Sequence, residues 1–485
     1  MTPQNTLLIM SDQHSPKALG CYGNAIVKTP NLDRLAEQGT SFSSAYCNSP
    51  ICVPARAAIA TGRYVHQTGY WDNSRGYDGS VPSWGHRLAH EGHSVESIGK
   101  LHFRSEADPT GFDRQHLPMH VAEGGGALLG LLRDDTAVLK KYRGYHEDAG
   151  PGDSPYTEYD RKIAARAAEW LLAKAKADEA KPWAAMVSFV CPHPPLQCPA
   201  EFYAMYPPEE MPLPYLLDPG ARPEHPAMRT HRIFQGCDAP FSEDVVRRSV
   251  SAYFGLCSFL DHNVGLVLDA LEASGMAENT RVIYTSDHGE ANGNQGLWGK
   301  YNMYEDSVGV PMIMAGHGIA RGQVVDTPVT HVDLYQTILE SVGAPGYPQD
   351  DAEMPGKSLF QVAAHPDPER VAFSEYHAAA ANTAVYMVRK GRYKFVYYVG
   401  LPNQLFDLET DPDERENLIE SETHAAICAE YEAILRNILD PEAIDALARS
   451  DQSARIVANG GRDAIRQRGA FGATPVPGEK AVFVS

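Results

Sequence analysis

The chain predicts an α/β fold: a large mixed, mostly parallel sheet flanked by helices, joined to a smaller C-terminal α+β subdomain with an antiparallel sheet. Three observations carry that reading. Short, largely apolar runs at 6–10, 183–190 and 281–285 are what strands buried on both faces of a parallel sheet look like. Segments of helical periodicity separate these runs, as βαβ connections require. Near residue 366 the alternation gives way to closely spaced strand-like runs. At ~150 residues per domain, the 485 residues suit about three domains or one large α/β unit with additions.

Taken in order, the run 6–10 ends at Ser11-Asp12-Gln13-His14, so a buried strand delivers polar groups at its C-terminal end, the edge where open α/β sheets bind ligands. Thr29-Pro30 opens a helix with Leu32, Leu35 and Ala36 on one face, and Gly39 stops it. An Ala-rich helix over 54–61 closes at Gly62, with Cys52 at or just before its first turn, where a helix N-terminus favours anions. Residues 93–98 read as a strand running into Gly99-Lys100-Leu101-His102. A helix over 161–180 precedes the 183–190 strand, which empties into Cys191-Pro192-His193-Pro194-Pro195. The proline-dense stretch 194–240 predicts a long loop or lid. An amphipathic helix over 243–274 leads to the 281–285 strand and Ser286-Asp287-His288-Gly289. An apolar run at 310–315 and a helix at 330–342 complete a catalytic domain drawn as 1–365.

The remainder, 366–485, predicts antiparallel strands at 370–376, 384–389 and 393–399, the last two joined at Lys390-Gly391-Arg392. Residues 423–439 form a helix, and 460–485 are a Gly/Pro-bearing tail suited to packing on a neighbouring subunit of a homo-oligomer, dimer or tetramer.

Composition excludes several classes. Lys plus Arg is 42 and Asp plus Glu 62, giving 42 − 62 = −20, so a nucleic-acid or anionic-membrane binder is not expected and any anionic ligand needs a local cluster of cations. No uninterrupted apolar run approaches the ~20 residues that span a bilayer. The N-terminus lacks the features of a signal peptide, which predicts a cytoplasmic protein. The eight cysteines form no C-x-x-C pair, which removes zinc ribbons and thioredoxin-like sites.

Four strand ends on one predicted sheet edge therefore carry Asp12-Gln13, Lys100-x-His102, His193 and Asp287-His288. Two carboxylates, an amide oxygen and an imidazole suit one divalent cation. Cys52-Val53-Pro54-Ala55-Arg56 adds a C-x-P-x-R element. With it, the sequence resembles the formylglycine-dependent sulfatases of the alkaline phosphatase superfamily. The resemblance continues through Thr29-Pro30-Asn31-Leu32-Asp33-Arg34-Leu35, Thr61-Gly62-Arg63, Gly99-Lys100-Leu101-His102, Asp287-His288-Gly289-Glu290, Gly296-Leu297-Trp298-Gly299-Lys300 and Gln404-Leu405-Phe406-Asp407-Leu408. At Gly99 to Phe103 and Ser374-Glu375-Tyr376-His377 it is most similar to bacterial enzymes of the choline sulfatase and arylsulfatase type.

The resemblance implies an alkaline-phosphatase-like fold and hydrolysis of small sulfate monoesters. It further implies that a formylglycine-generating enzyme oxidises Cys52 to an aldehyde. The hydrated aldehyde attacks sulfur, giving a sulfated hemiacetal that a base then breaks down to sulfate and aldehyde. By motif position His102 is that base, Lys100 bridges residue 52 and sulfate, and Arg56 holds the deprotonated diol. His193 and Lys300 bind sulfate and assist the leaving oxygen, and Asn73 adds a contact. Asp12, Gln13, Asp287 and His288 would ligate the metal together with residue 52. Many sulfatases have paired acids where this chain has Asp12-Gln13, and Asn where it has His288. Oxygen donors favour Ca²⁺ and the imidazole favours Mn²⁺, so the ion stays open.

Two rivals remain. Asp12-Gln13 and Asp287-His288 also resemble phosphonate monoester and phosphodiester hydrolases of the same superfamily, although these tend to have Tyr and Thr in place of Lys100 and His102. The other is a non-catalytic metal-binding scaffold with an unmodified Cys52. The leaving alcohol is not legible: Tyr70, Trp71, Trp84 and Trp298 suit an aryl pocket, a quaternary-ammonium cage or plain core packing.

Overall fold

The computed structural model describes residues 2–133, 140–177, 180–222, 224–344, 354–471 and 473–484. Its centre is an eight-stranded sheet in the order Gln323–Val325, Gly39–Phe42, Met312–Ala315, Thr280–Ser286, Asn5–Asp12, Ala184–Pro192, Val95–Lys100, Arg114–Met119. The four strands with chemistry-bearing ends are contiguous, and each pairs in parallel with its neighbour among them. All four therefore discharge their C-terminal ends along one edge. Met312–Ala315 runs antiparallel to both its neighbours, which makes the sheet mixed.

Alternation along the first strand explains the layers. Leu7 and Ile9 pack with Ile163, Ala167, Val264 and Val267 of the helices Pro155–Lys174 and Glu243–Ala273 on one face. Leu8 and Met10 pack on the other face with Ile59 of Cys52–Thr61 and with Leu334 and Ile338 of Asp333–Val342. Glu243–Ala273 is long and apolar enough by composition to cross a membrane, a property the uninterrupted-run criterion misses because scattered polar residues break it. In this fold most of it is buried as a core helix.

A second, four-stranded antiparallel sheet runs Ala372–Tyr376, Val385–Lys390, Tyr393–Tyr398, Gln404–Asp407. Tyr431 and Leu435 of the helix Ala425–Ile438 cover one of its faces with Phe373, Tyr386 and Phe395.

Several sequence expectations shift. The first strand extends beyond the apolar run, from Asn5 to Asp12, so Asp12 is its last residue. Gly39 begins a strand after the first helix ends at Glu37. The 161–180 helix starts earlier, at Pro155, because Ser154 caps it by accepting from the Thr157 amide with Pro155 in the first turn. The 194–240 stretch contains the helices Ala200–Tyr203 and Pro226–Phe234. The tail is more ordered than expected. A helix at Pro441–Ala458, capped by Asp440, is followed by Gly461–Arg468 and a short pairing of Ala470–Phe471 with Phe483–Val484. Tyr70, Trp71 and Trp84 are core residues.

Candidate active site

Strand register solves the main problem of assembly. Ser11 lies opposite Ser286, so Asp12 and Asp287, 275 positions apart, leave adjacent strands side by side. Asp12 also faces Pro192, which sets the His193 loop on the other flank. Both carboxylate oxygens of Asp160 accept backbone amides there, from Val190 and Cys191 at 2.8 Å each, and so hold the strand that leads to His193. Gly99 permits the approach of Lys100: its φ is +99°, and a Cβ would stand 2.2 Å from the Ser188 carbonyl oxygen.

Cys52 opens the Cys52–Thr61 helix and is fully buried. Its Sγ lies 3.2 Å from His288 Nε2, 3.2 Å from Lys300 Nζ and 3.7 Å from Asp12 Oδ1. Burial and then the negative charge of Asp12 push its thiol up to about 11, so an unmodified Cys52 is a neutral thiol and a poor nucleophile. Arg56, one turn on, points to the same spot. Its Nε donates to Asp287 Oδ2 at 2.8 Å and its Nη2 to Asp12 Oδ2 at 3.3 Å, while Nη1 donates to the Lys100 carbonyl and Ser188 Oγ. The guanidinium is thus committed to clamping the two carboxylates, a different engagement from the grip on residue 52 that the sequence suggested.

Asp12, Cys52, Asp287 and His288 each offer a donor atom, all within 4.8 Å of one another and buried. Hydrogen bonds tune these donors. His288 Nδ1 donates to the Gly289 carbonyl at 3.0 Å, leaving Nε2 as the free lone pair facing Cys52. Burial, then Lys300, lowers the His288 pKa, so the ring is neutral as a ligand requires. Glu290 accepts from Gln13 Nε2, which turns Gln13 Oε1 toward Lys300 Nζ at 2.8 Å. Burial opposes ionisation of Asp12, but Lys100, at 2.5 Å, together with His193 and Lys300 hold it well below the usual range. Asp287 is pushed up to about 6 by burial and by Asp12. Two buried carboxylates competing for the same cations are what a divalent ion resolves by lowering both. The donor set fits a hard or borderline dication.

Over this floor opens a cavity lined by Gln13, Cys52, Asn73, Lys100, His102, His193 and Lys300. His102 is neutral because burial and the nearby Lys100 and Arg56 lower its pKa. His193 is likewise lowered, by burial and Lys300, and its Nδ1 bonds the Pro194 carbonyl at 2.6 Å. Asn73 Oδ1 accepts from the Val53 amide at 3.0 Å, satisfying a first-turn donor of the Cys52 helix. Of the residues nominated for metal, sulfate and catalysis, Gln13, Cys52, Asn73, Lys100, His102, His193 and Lys300 line this cavity, and Asp12, Arg56, Asp287 and His288 lie against Cys52 or its partners beneath it. Of the four nominated aromatics only Trp298 lines the cavity; Tyr142, Tyr145, Tyr156, Tyr253 and Tyr301 supply the rest. Two groups were missed. Glu290, which orients Gln13, sat inside a matched motif as an unexplained acid, whereas Thr474 gave no signal at all.

Comparison with known proteins agrees with this geometry. The sulfatase family model matches residues 4–344, and that of the C-terminal region of N-sulphoglucosamine sulphohydrolase matches 293–440. The choline-sulfatase of Rhizobium meliloti (strain 1021) is 32% identical over 466 residues, covering 93% of this chain and 90% of the relative. Arylsulfatase K of Danio rerio is 27% identical over 469 residues, covering 90% and 84%. Among solved structures, the phosphonate monoester hydrolase of Agrobacterium radiobacter superposes with a TM-score of 0.70 at 24% identity, covering 92% and 96%, a likeness of fold. The alkaline-phosphatase-like fold and its site thus define a hydrolase of tetrahedral oxyanion esters. Within that class, this chain belongs to the sulfatase family and is a sulfuric ester hydrolase.

Proposed function

We propose that the protein hydrolyses sulfate monoesters through formylglycine formed from Cys52 by a formylglycine-generating enzyme. The observation that supports this most is the position of Cys52 Sγ, 3.2 Å from both His288 Nε2 and Lys300 Nζ, at the junction of the dication donors and the cavity. Oxidation there replaces an inert thiol with a carbon whose hydrate carries two hydroxyls. A divalent ion, Ca²⁺ or Mn²⁺, held by Asp12, Gln13, Asp287 and His288, would acidify the attacking hydroxyl and offset sulfuryl charge.

The protein's own groups do the rest. Lys100 and Lys300 hold sulfate oxygens. His193, from the opposite flank, and the charged Lys300 face the departing oxygen, and Lys300, which keeps its protons, stabilises or protonates it. His102, neutral and beside residue 52, removes the proton of the second hydroxyl, so sulfate leaves as the aldehyde reforms. The leaving alcohol lies among Tyr142, Tyr145, Tyr301 and Trp298. Peptide mass spectrometry around residue 52, with turnover of 4-nitrophenyl sulfate, tests the reading. An aldehyde at 52 and sulfate release are expected; an unmodified thiol in fully active protein overturns it. Phosphonate or phosphodiester hydrolysis is the second reading, favoured by the Asp12-Gln13 and Asp287-His288 donors. Comparing aryl sulfate, choline sulfate and a phosphonate monoester separates the two, with Lys100 and His102 favouring sulfate.

A further inference from the structure

The C-terminal segment reaches into the cavity at one point. Thr474, which lines it, places its Oγ1 2.9 Å from His102 Nε2. The segment is tied down where this happens, because Tyr156 donates its hydroxyl to the Thr474 carbonyl at 2.9 Å, and the Tyr156 ring packs edge-on against His193 at 5.9 Å between centroids. Flanking it, Ala470–Phe471 pairs with Phe483–Val484. His102 itself is buried in a left-handed backbone conformation, φ 57°, and its Nδ1 has no hydrogen-bond partner among the described residues. Leaving a buried ring nitrogen unpaired costs about 1–3 kcal/mol, so an orphan of this kind calls for a functional reason.

We propose that Thr474 is a positioning residue for His102: its hydroxyl holds Nε2 and so fixes the ring, and it accepts Nε2–H in the tautomer whose Nδ1 keeps a lone pair, the form that acts as base. The inference rests on the sulfatase reading but concerns a residue outside every matched motif. It accounts for the proton in the second half-reaction. Nδ1 takes the proton from the free hydroxyl on the Cβ of sulfated residue 52, and the O–H electron pair becomes the second C–O bond of the aldehyde. The C–O bond to sulfate breaks, and sulfate departs with that pair. The imidazolium so formed keeps its Nε2–H on Thr474 and returns the Nδ1 proton to water when the aldehyde rehydrates. Without the Thr474 hydroxyl Nε2 loses its partner and the ring its anchor, so Nδ1 is no longer held in place as a base.

The test compares Thr474→Val, which keeps shape but removes the hydroxyl, with Thr474→Ser, which restores it. The protein is the full chain carrying the aldehyde, loaded with metal, and the substrate is 4-nitrophenyl sulfate. Thr474→Val is expected to lower kcat by roughly 10- to 100-fold, with KM within about twofold. It should also show a burst of 4-nitrophenol followed by accumulation of the sulfated residue-52 peptide on acid quench. Thr474→Ser should recover most of the rate and lose the burst. Circular dichroism shows whether the Val variant is folded, and the Ser variant carries the test if it is not. Wild-type kcat and no sulfated peptide in the folded Val variant overturn the proposal alone. A folded, aldehyde-bearing wild type that releases no sulfate overturns the sulfatase reading and the proposal with it.

Discussion

At the scale of single residues, the site is a competition for charge. Lys100 and Lys300 hold Asp12 ionised in a place where burial alone would protonate it, and Asp287 gives way instead. Cys52 sits among these charges with its thiol pushed up to about 11. In the proposed mechanism its value lies in the carbon that oxidation would expose. Cys52→Ala should cut kcat for aryl sulfate by about 10⁴-fold or more, as loss of a nucleophile does, with the melting temperature nearly unchanged. His102→Ala should also stop turnover, but in a different way: rapid-quench mass spectrometry should find the sulfated residue-52 peptide accumulating, because attack on sulfur does not need that base.

At the scale of elements, strand ends and the turns behind them set the distances. Gly99 is the plainest case, since any side chain there meets the Ser188 carbonyl while φ is positive. Gly99→Ala should destabilise by about 3 kcal/mol or more and depress kcat by displacing Lys100, measured by thermal melts and steady-state kinetics. The contact between the C-terminal sheet and the short helix Val65–Thr68 offers a pH-dependent case. Glu375, on the first strand of the C-terminal sheet, accepts from His66 Nδ1 and His377 Nε2, each at 2.8 Å. Burial would raise its pKa, but the two imidazoles bring it down to about 2 from an ordinary 4.5. A carboxylate depressed on folding contributes stability that is full above the unfolded value and lost as pH falls through the folded one. The window is therefore pH 4.5 to 2. Glu375→Gln should cost about 3 kcal/mol at pH 7, and melts at descending pH should show the gap from wild type closing across that window.

Over the whole molecule, a dication bound by the donor set would tie stability to metal. Chelation should lower the melting temperature by a few degrees, on the order of 2.7 kcal/mol for an ion present at 100 times its Kd, and Ca²⁺ or Mn²⁺ should restore it; the ion that restores more at equal concentration identifies the preference. The sequence by itself determined the parallel α/β order, the strand tips and the C-x-P-x-R helix, because buried strands and their polar ends are local patterns that survive in one dimension. It also nominated the residues that converge on the cavity. Only the tertiary structure decided who touches whom. The register of strands hundreds of residues apart set Asp12 beside Asp287 and committed Arg56 to both. Glu290 turned the Gln13 amide, and a tail with no recognisable pattern brought Thr474 to His102. Such contacts follow from long-range packing, and no local periodicity encodes them.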